Sequence, residues 1–233
     1  MRSLIFFAVA AAAAATPALS AERSFNVAGF DRVRSTGPFD VQVRVGGGFA
    51  VRASGPQEVL DRLEIVNEGG QLVIRTDRRD GSNWRGWFGR GERTLVTVSL
   101  PALNGVALTG SGNVSVDHSR GRVFAASLAG SGDLTLGSLQ AENASLELTG
   151  SGNLTVAGNV GAAKASARGS GDIRAGALRA DTAAVALVGS GNIELAAQRS
   201  AAVTLNGSGD VTISGPARCN IAKHGSGAVR CRG

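Results

Sequence analysis

The sequence predicts an all-β fold, a right-handed parallel β-helix with coils of about 18–20 residues and irregular N-terminal coils. Three observations predict it. The tripeptide Gly-Ser-Gly occurs seven times, beginning at Gly110, Gly130, Gly150, Gly169, Gly189, Gly207 and Gly225, in steps of 20, 20, 19, 20, 18 and 18 residues. Self-similarity at such a period marks stacked units. Apolar residues fall in two columns, four and six positions after each first glycine, with polar residues between them. Alternation of period two is a half-buried strand. The strongest likeness lies between residues one whole unit apart, as parallel stacking requires, and the general crossover rule makes the winding right-handed.

Residues 1–21 read as a cleaved signal peptide. Arg2 gives a positive start, residues 4–15 are an unbroken apolar run, and Pro17 and the small residues Ala18, Ser20 and Ala21 follow. This pattern predicts cleavage after Ser20 or Ala21. The run is shorter than the roughly 20 residues that span a bilayer, and no later segment is apolar enough to cross one. The mature chain is therefore expected to be exported, in the periplasm or beyond.

Residues 22–103 are strand-rich without the strict period. Strands are expected at 39–45, 48–53, 71–76 and 94–100, and a short helix at 57–63. The segment Gly37-Pro-Phe-Asp-Val resembles a degenerate Gly-Ser-Gly-Asp unit with Val41 and Val43 inward. This part is expected to continue the stack with irregular coils and to close its other end.

Residues 104–233 are the regular coils. The first apolar column is Val114, Leu134, Leu154, Ile173, Ile193, Val211 and Val229, and the second runs from Val116 to Cys231. Two, four and six positions before the corners lie further columns of mostly apolar or small residues, with Asn104 at the first corner and Lys223 at the last as exceptions. Changes in length fall in one segment per unit, where a loop is expected. Gly allows a sharp corner. The residue after each Gly-Ser-Gly is Asn113, Asp133, Asn153, Asp172, Asn192 and Asp210, then Ala228. Asn and Asp side chains satisfy corner backbone, and their alternation would place an amide between stacked carboxylates. Cys219 and Cys231 fall in inward columns of the last coil, where an oxidising compartment favours a disulfide that replaces the missing next coil as a cap.

Composition and charge exclude several functions. The net charge of +6 becomes +5 without Arg2, and apart from one loop it is scattered, unlike the basic face of a nucleic-acid binder. Phosphate-cradling glycine loops open a helix, whereas strands follow these. Calcium β-rolls have a nonapeptide period. The two histidines, His118 in a variable loop and His224 before the last corner, belong to different coils. No metal ligands, cofactor or catalytic residues are indicated.

Two surfaces remain as binding candidates. One is the flat wall before the corners, including Ala125, Ser127, Ser145, Ala184, Ala186 and Ala202, which suits a protein, a glycan or another copy. The other is the loop 77–93. It carries Trp84, Trp87 and Phe88 among Arg78, Arg79, Arg85, Arg90 and Arg93, with net charge +2. Arg and Trp are enriched in binding hot spots. The alternative for this loop is a cap over the end of the rod.

The motifs Gly-Phe-Asp-Arg-Val at 29–33, Gly-Pro-Phe-Asp-Val at 37–41, Thr-Val-Ser-Leu-Pro-Ala-Leu at 97–103 and the serial Gly-Ser-Gly-Asn/Asp units resemble the putative auto-transporter adhesin, head GIN domain family of bacterial envelope proteins. The resemblance implies an exported β-helix-like domain with an adhesin-like role and carries over no catalytic residues. The reading is a non-enzymatic cell-envelope module whose partner is envelope polysaccharide or protein. The alternative is a glycan-cleaving β-helix enzyme, which needs paired carboxylates on one face.

Overall fold

The computed structural model describes residues 21–77 and 93–232. It is 75% strand and 3% helix around a parallel β-solenoid of about 6 turns, so the packing of coil on coil sets everything else. Four long strands each cover most of a coil: β9 (Asn113–Gly130), β10 (Asp133–Gly150), β11 (Asn153–Gly169) and β12 (Asp172–Gly189). A fifth, β13 (Ile193–Gly207), follows them. Each leaves a corner along an exit wall, bends through a third side, and runs back along an approach wall into the next Gly-Ser-Gly.

Equivalent residues lie over one another. Leu134 pairs with Val114 and Leu154, and the column continues through Ile173, Ile193, Val211 and Val229. On the approach wall Leu128, Leu148, Ala167, Leu187 and Leu205 stack likewise. All but Val229 are buried. Each large aliphatic side chain taken from water contributes about 1.5–3 kcal/mol. Apart from Leu205, which meets Lys223, and Val229 in the last coil, each pairs with an apolar residue in both neighbouring coils, so the stack is one continuous core.

The segment expected to be a loop is mostly strand. Backbone groups there pair with neighbouring coils, which satisfies them as well as water would. Differences in coil length are absorbed by register shifts between Leu136 and Leu139, Thr155 and Gly158, and Ala175 and Arg179. Leu139 and Leu178 are buried on this side. Val160 falls in the adjacent column, opposite Ala141 and Ala180. His118 belongs to β9 rather than to a loop, and its Nδ1 lies 3.3 Å from Asp117 Oδ2 on the surface.

Toward the N-terminus the parallel stack extends by two irregular coils. Strands β2 (Arg32–Thr36) and β3 (Asp40–Val45) form one. They pair parallel with β8 (Gly105–Gly110) and β9 respectively. The corner between them follows the repeat, since Gly37 donates to Thr109 O (2.9 Å) and Gly112 donates to Gly37 O (3.3 Å). Strands β6 (Gln71–Thr76) and β7 (Leu95–Leu100) form the other coil, parallel to β2 and β3.

Beyond them the pairing turns antiparallel. Strand β4 (Ala50–Gly55) pairs with β7, and β1 (Ala21–Phe25) with β4. Strand β5 (Leu63–Glu68) pairs with β6 through a Gly69-Gly70 turn with φ of 60° and 80°. Positive φ at both central residues is what a tight hairpin demands. A short helix α1 (Gln57–Asp61) carries the chain from one wall to the other, with Leu60 buried. Arg75 holds Glu64 (2.9 Å) and Glu68 (2.6 Å) on the hairpin, and these two carboxylates keep its guanidinium above its ordinary pKa.

At the other end lie β14 (Val211–Ser214), β15 (Arg218–His224) and β16 (Val229–Arg232). Cys219 and Cys231 form a disulfide that ties β15 to β16 across a separation of 12 residues. A crosslink of this size stabilises by about 2 kcal/mol or more, and in a solenoid its loss acts first on the nearest coil. We expect Cys219→Ala/Cys231→Ala to speed hydrogen exchange at β15 and β16 and to leave β9–β11 protected. Uniform loss of protection would show instead that the bridge supports the whole stack.

Candidate binding surfaces

The corner is built by backbone crowding. Gly130 has φ 137°, which L side chains rarely adopt. A Cβ on Gly132 would run into the Gly112 carbonyl of the coil below. Coil stacks on coil here backbone to backbone, and Ser131 N donates to Gly110 O (3.0 Å).

Beside the corners runs a side-chain ladder. Asn113 donates from Nδ2 to Asp40 Oδ1 (2.9 Å), Asn153 to Asp133 (2.8 Å), and Asn192 to Asp172 (3.0 Å). The backbone N–H of Asp133 donates to Asn113 Oδ1, and that of Asp210 to Asn192 Oδ1, both at 3.2 Å. Only the step from Asn153 to Asp172 lacks a side-chain acceptor, and there Asp172 N donates to Gly152 O. Arginines on the exit wall take up second oxygens: Arg174 with Asp172 (3.1 Å) and Arg230 with Asp210 (2.9 Å). The Ala228 N–H and then Arg230 hold Asp210 below the usual carboxylate range. These arginines are the part of the ladder that reading the corners alone misses. Their signal is a basic residue two positions beyond the ladder position.

The approach wall carries small outward side chains. Its columns run Ala107, Ser127, Glu147, Ser166, Ala186, Thr204 and Ala125, Ser145, Lys164, Ala184, Ala202. Where this wall meets the third side a shallow groove of about 350 Å³ runs along the stack, lined by Val123, Asn143, Ser145, Lys164, Thr182 and Ala184 among others. Val123 is 60% exposed and Val188 46%. Glu147 belongs to this wall and Glu194 to the exit wall, so they do not face each other as a glycosidase pair must. Among the described residues no group of His, Cys, Asp and Glu could share a metal ion.

The residues Arg78, Arg79, Trp84, Arg85, Trp87, Phe88 and Arg90 lie outside the described residues. The ends of their segment are described. Asp77 follows β6, and its N–H donates to Arg62 O (2.8 Å). Arg93 precedes β7 and lies 3.4 Å from Asp40, the first carboxylate of the ladder.

The motifs at 29–33, 37–41 and 97–103 thus lie in stacked coils continuous with the repeats. The family model described as putative auto-transporter adhesin, head GIN domain, matches residues 29–217. The chain belongs to this family. Solved structures resemble this GIN-domain chain over nearly its whole length. A putative adhesin from Bacteroides fragilis shares 20% identity at a TM-score of 0.79, covering 92% of this chain and 97% of its own. A putative lipid binding protein from Parabacteroides distasonis shares 19% at 0.71 with the same coverage. A putative adhesin from Parabacteroides merdae shares 15% at 0.68, again covering 92% and 97%. At these identities the likeness is one of fold. No curated protein matches the GIN-domain chain. Family membership and the disulfide fit an exported or cell-surface protein, and among the described residues no helix is long and apolar enough to cross a membrane.

Proposed function

We propose that this GIN-domain chain is a non-catalytic envelope module, exported by the signal peptide of residues 1–21 and acting in the periplasm. It binds an envelope polysaccharide or protein through the Arg/Trp segment of residues 77–93, with the solenoid as its rigid support. The position of β6 and β7 supports this reading. They flank the coil formed by β2 and β3, so Asp77 and Arg93 stand at the corner edge where other coils have Gly-Ser-Gly. A segment of about fifteen residues replaces three there, and its Arg and Trp content matches that of binding hot spots. Strands on both sides fix its ends, which lowers the entropy lost on binding.

The test compares the exported chain with Trp84→Ala/Trp87→Ala on a glycan array and in capture from envelope extracts. Loss of two hot-spot aromatics should weaken binding at least about tenfold while leaving the melting temperature unchanged. Unchanged binding would remove the segment from the site. A lower melting temperature with normal binding would make it a cap.

A further inference from the structure

The coil of β15 and β16 is held differently from those beneath it. No residue of either strand is buried. The residues on which they stack, Ala201, Val203, Leu205, Val211 and Ile213, all are. Ile221 stands over Val203 and is itself 44% exposed. Lys223 stands over Leu205, in the place of a stacked leucine. The coil therefore brings little apolar burial to offset the entropy of ordering it. It is held by a backbone ladder on one side, by the Ala228 N–H and Arg230 donating to Asp210 (both 2.9 Å), and by the Cys219–Cys231 bond that joins its two strands.

Charge divides this coil from the one below. Arg218, Lys223, Arg230 and Arg232 lie in β15 and β16. Residues 200–206 of β13 carry no charged side chain, no Pro and no Gly. A stretch of that kind pairs readily with its own copies once its edge is open. A lysine in an inward column stops strand addition, because a strand laid over Lys223 would bury its ammonium.

We infer that the coil of β15 and β16 is a redox-released guard. With the Cys219–Cys231 bond intact it covers the edge of β13 and turns away a further strand. When a dithiol reduces the bond the coil leaves its place, and residues 200–206 of β13 pair with the same residues of a second released copy. Such a contact is isologous and closes as a dimer. Cys231 is exposed and Cys219 half-buried, so a thiolate of the dithiol attacks the Cys231 sulfur, and Cys219 leaves as a thiolate that takes up a proton. The second thiol of the dithiol loses its proton, displaces Cys231 and closes a disulfide of its own, and the Cys231 thiolate is protonated in turn. The protein gains two electrons and two protons, and the dithiol loses them.

The test compares the exported chain, oxidised and reduced with dithiothreitol, by hydrogen exchange and by sedimentation across a concentration series. Thiol titration confirms that both sulfurs are free. The oxidised protein should stay monomeric with β15 and β16 protected. Reduction should speed their exchange at least about thirtyfold, leave β9–β11 protected and produce a dimer. Ala202→Lys/Thr204→Lys places charge at two exposed positions of the uncovered edge. Circular dichroism checks that it folds. Its β15 and β16 should be released on reduction as in the wild type, while its dimer should be at least about tenfold weaker. Exchange at β15 and β16 indifferent to reduction would overturn the proposal, as would protection lost throughout the stack. So would a reduced protein that stays monomeric, or association unaffected by the added lysines.

Discussion

Gly132→Ala should lower the stability of this protein by about 3 kcal/mol, the upper range for forcing one extra methyl into a packed site. The added methyl meets the carbonyl oxygen of Gly112 and the backbone of Ser111, not a movable side chain. The coils must therefore separate at that corner, and the backbone bonds from Ser131 and Gly132 to Gly110 O (3.0 and 3.2 Å) must stretch. Ser131→Ala, one residue away and exposed, should change stability by no more than about 0.5 kcal/mol. Urea denaturation of the two variants decides the matter. A Gly132→Ala protein as stable as Ser131→Ala would mean that coil spacing at the corner is soft.

The second large effect is expected in the ladder. Asn153→Asp/Asn192→Asp replaces two amide donors by acceptors and leaves carboxylates stacked at positions 133, 153, 172, 192 and 210. Each lost bond to an ionised carboxylate is worth about 1.5–3 kcal/mol, so the double variant should lose about 4 kcal/mol at neutral pH. For a chain of this size that is a fall of about 10 °C in melting temperature. The sign with pH follows from the neighbours. Adjacent carboxylates raise the folded-state pKa of the introduced groups, so the penalty is present above that pKa and fades as pH falls through it. The gap from wild type should narrow toward pH of about 4. Asn153→Ala/Asn192→Ala removes the same donors without adding charge. Its gap should stay nearly constant until pH falls to about 4, where the partner carboxylates begin to lose their charge, and equal behaviour of the two double variants above that pH would show that repulsion contributes nothing.

Much of this fold was legible because like residues had to stack. The columns through Leu134 and Leu148 name both walls, and their spacing gives the register to the residue. The corners were legible for a steric reason, since Gly110 and Gly112 lie where a side chain would meet the backbone of another coil. Other parts were hidden by physics that one strand cannot display. Strand β2 reads Arg-Val-Arg-Ser-Thr, with Val33 the one apolar residue, because Ser35 occupies a place in the leucine column; it is fully buried there without a hydrogen-bond partner. Strand β5 was obscured because Leu63 and Ile65 follow directly on the helix, so 57–63 read as one element. The antiparallel finish depends on which edge each strand reaches, and that is settled by tertiary pairing. The third side looked like a loop because its length varies, yet its backbone pairs across coils wherever register allows. Of the binding surfaces, the small-residue wall was plain from composition. The arginines that brace the ladder were less so, because Arg230 reaches Asp210 only once the coils stack, although Arg174 lies just two positions from Asp172.

The alternation of the ladder imposes a parity rule on how this molecule can change length. Asp40, Asn113, Asp133, Asn153, Asp172, Asn192 and Asp210 follow one another without a repeat. Duplicating or deleting a single winding would set two identical groups side by side at one seam, two acids or two amides. Growth or shortening by two windings keeps the order intact. Chains of this kind should therefore lengthen in even steps, and an engineered version with one added winding should be less stable than one with two.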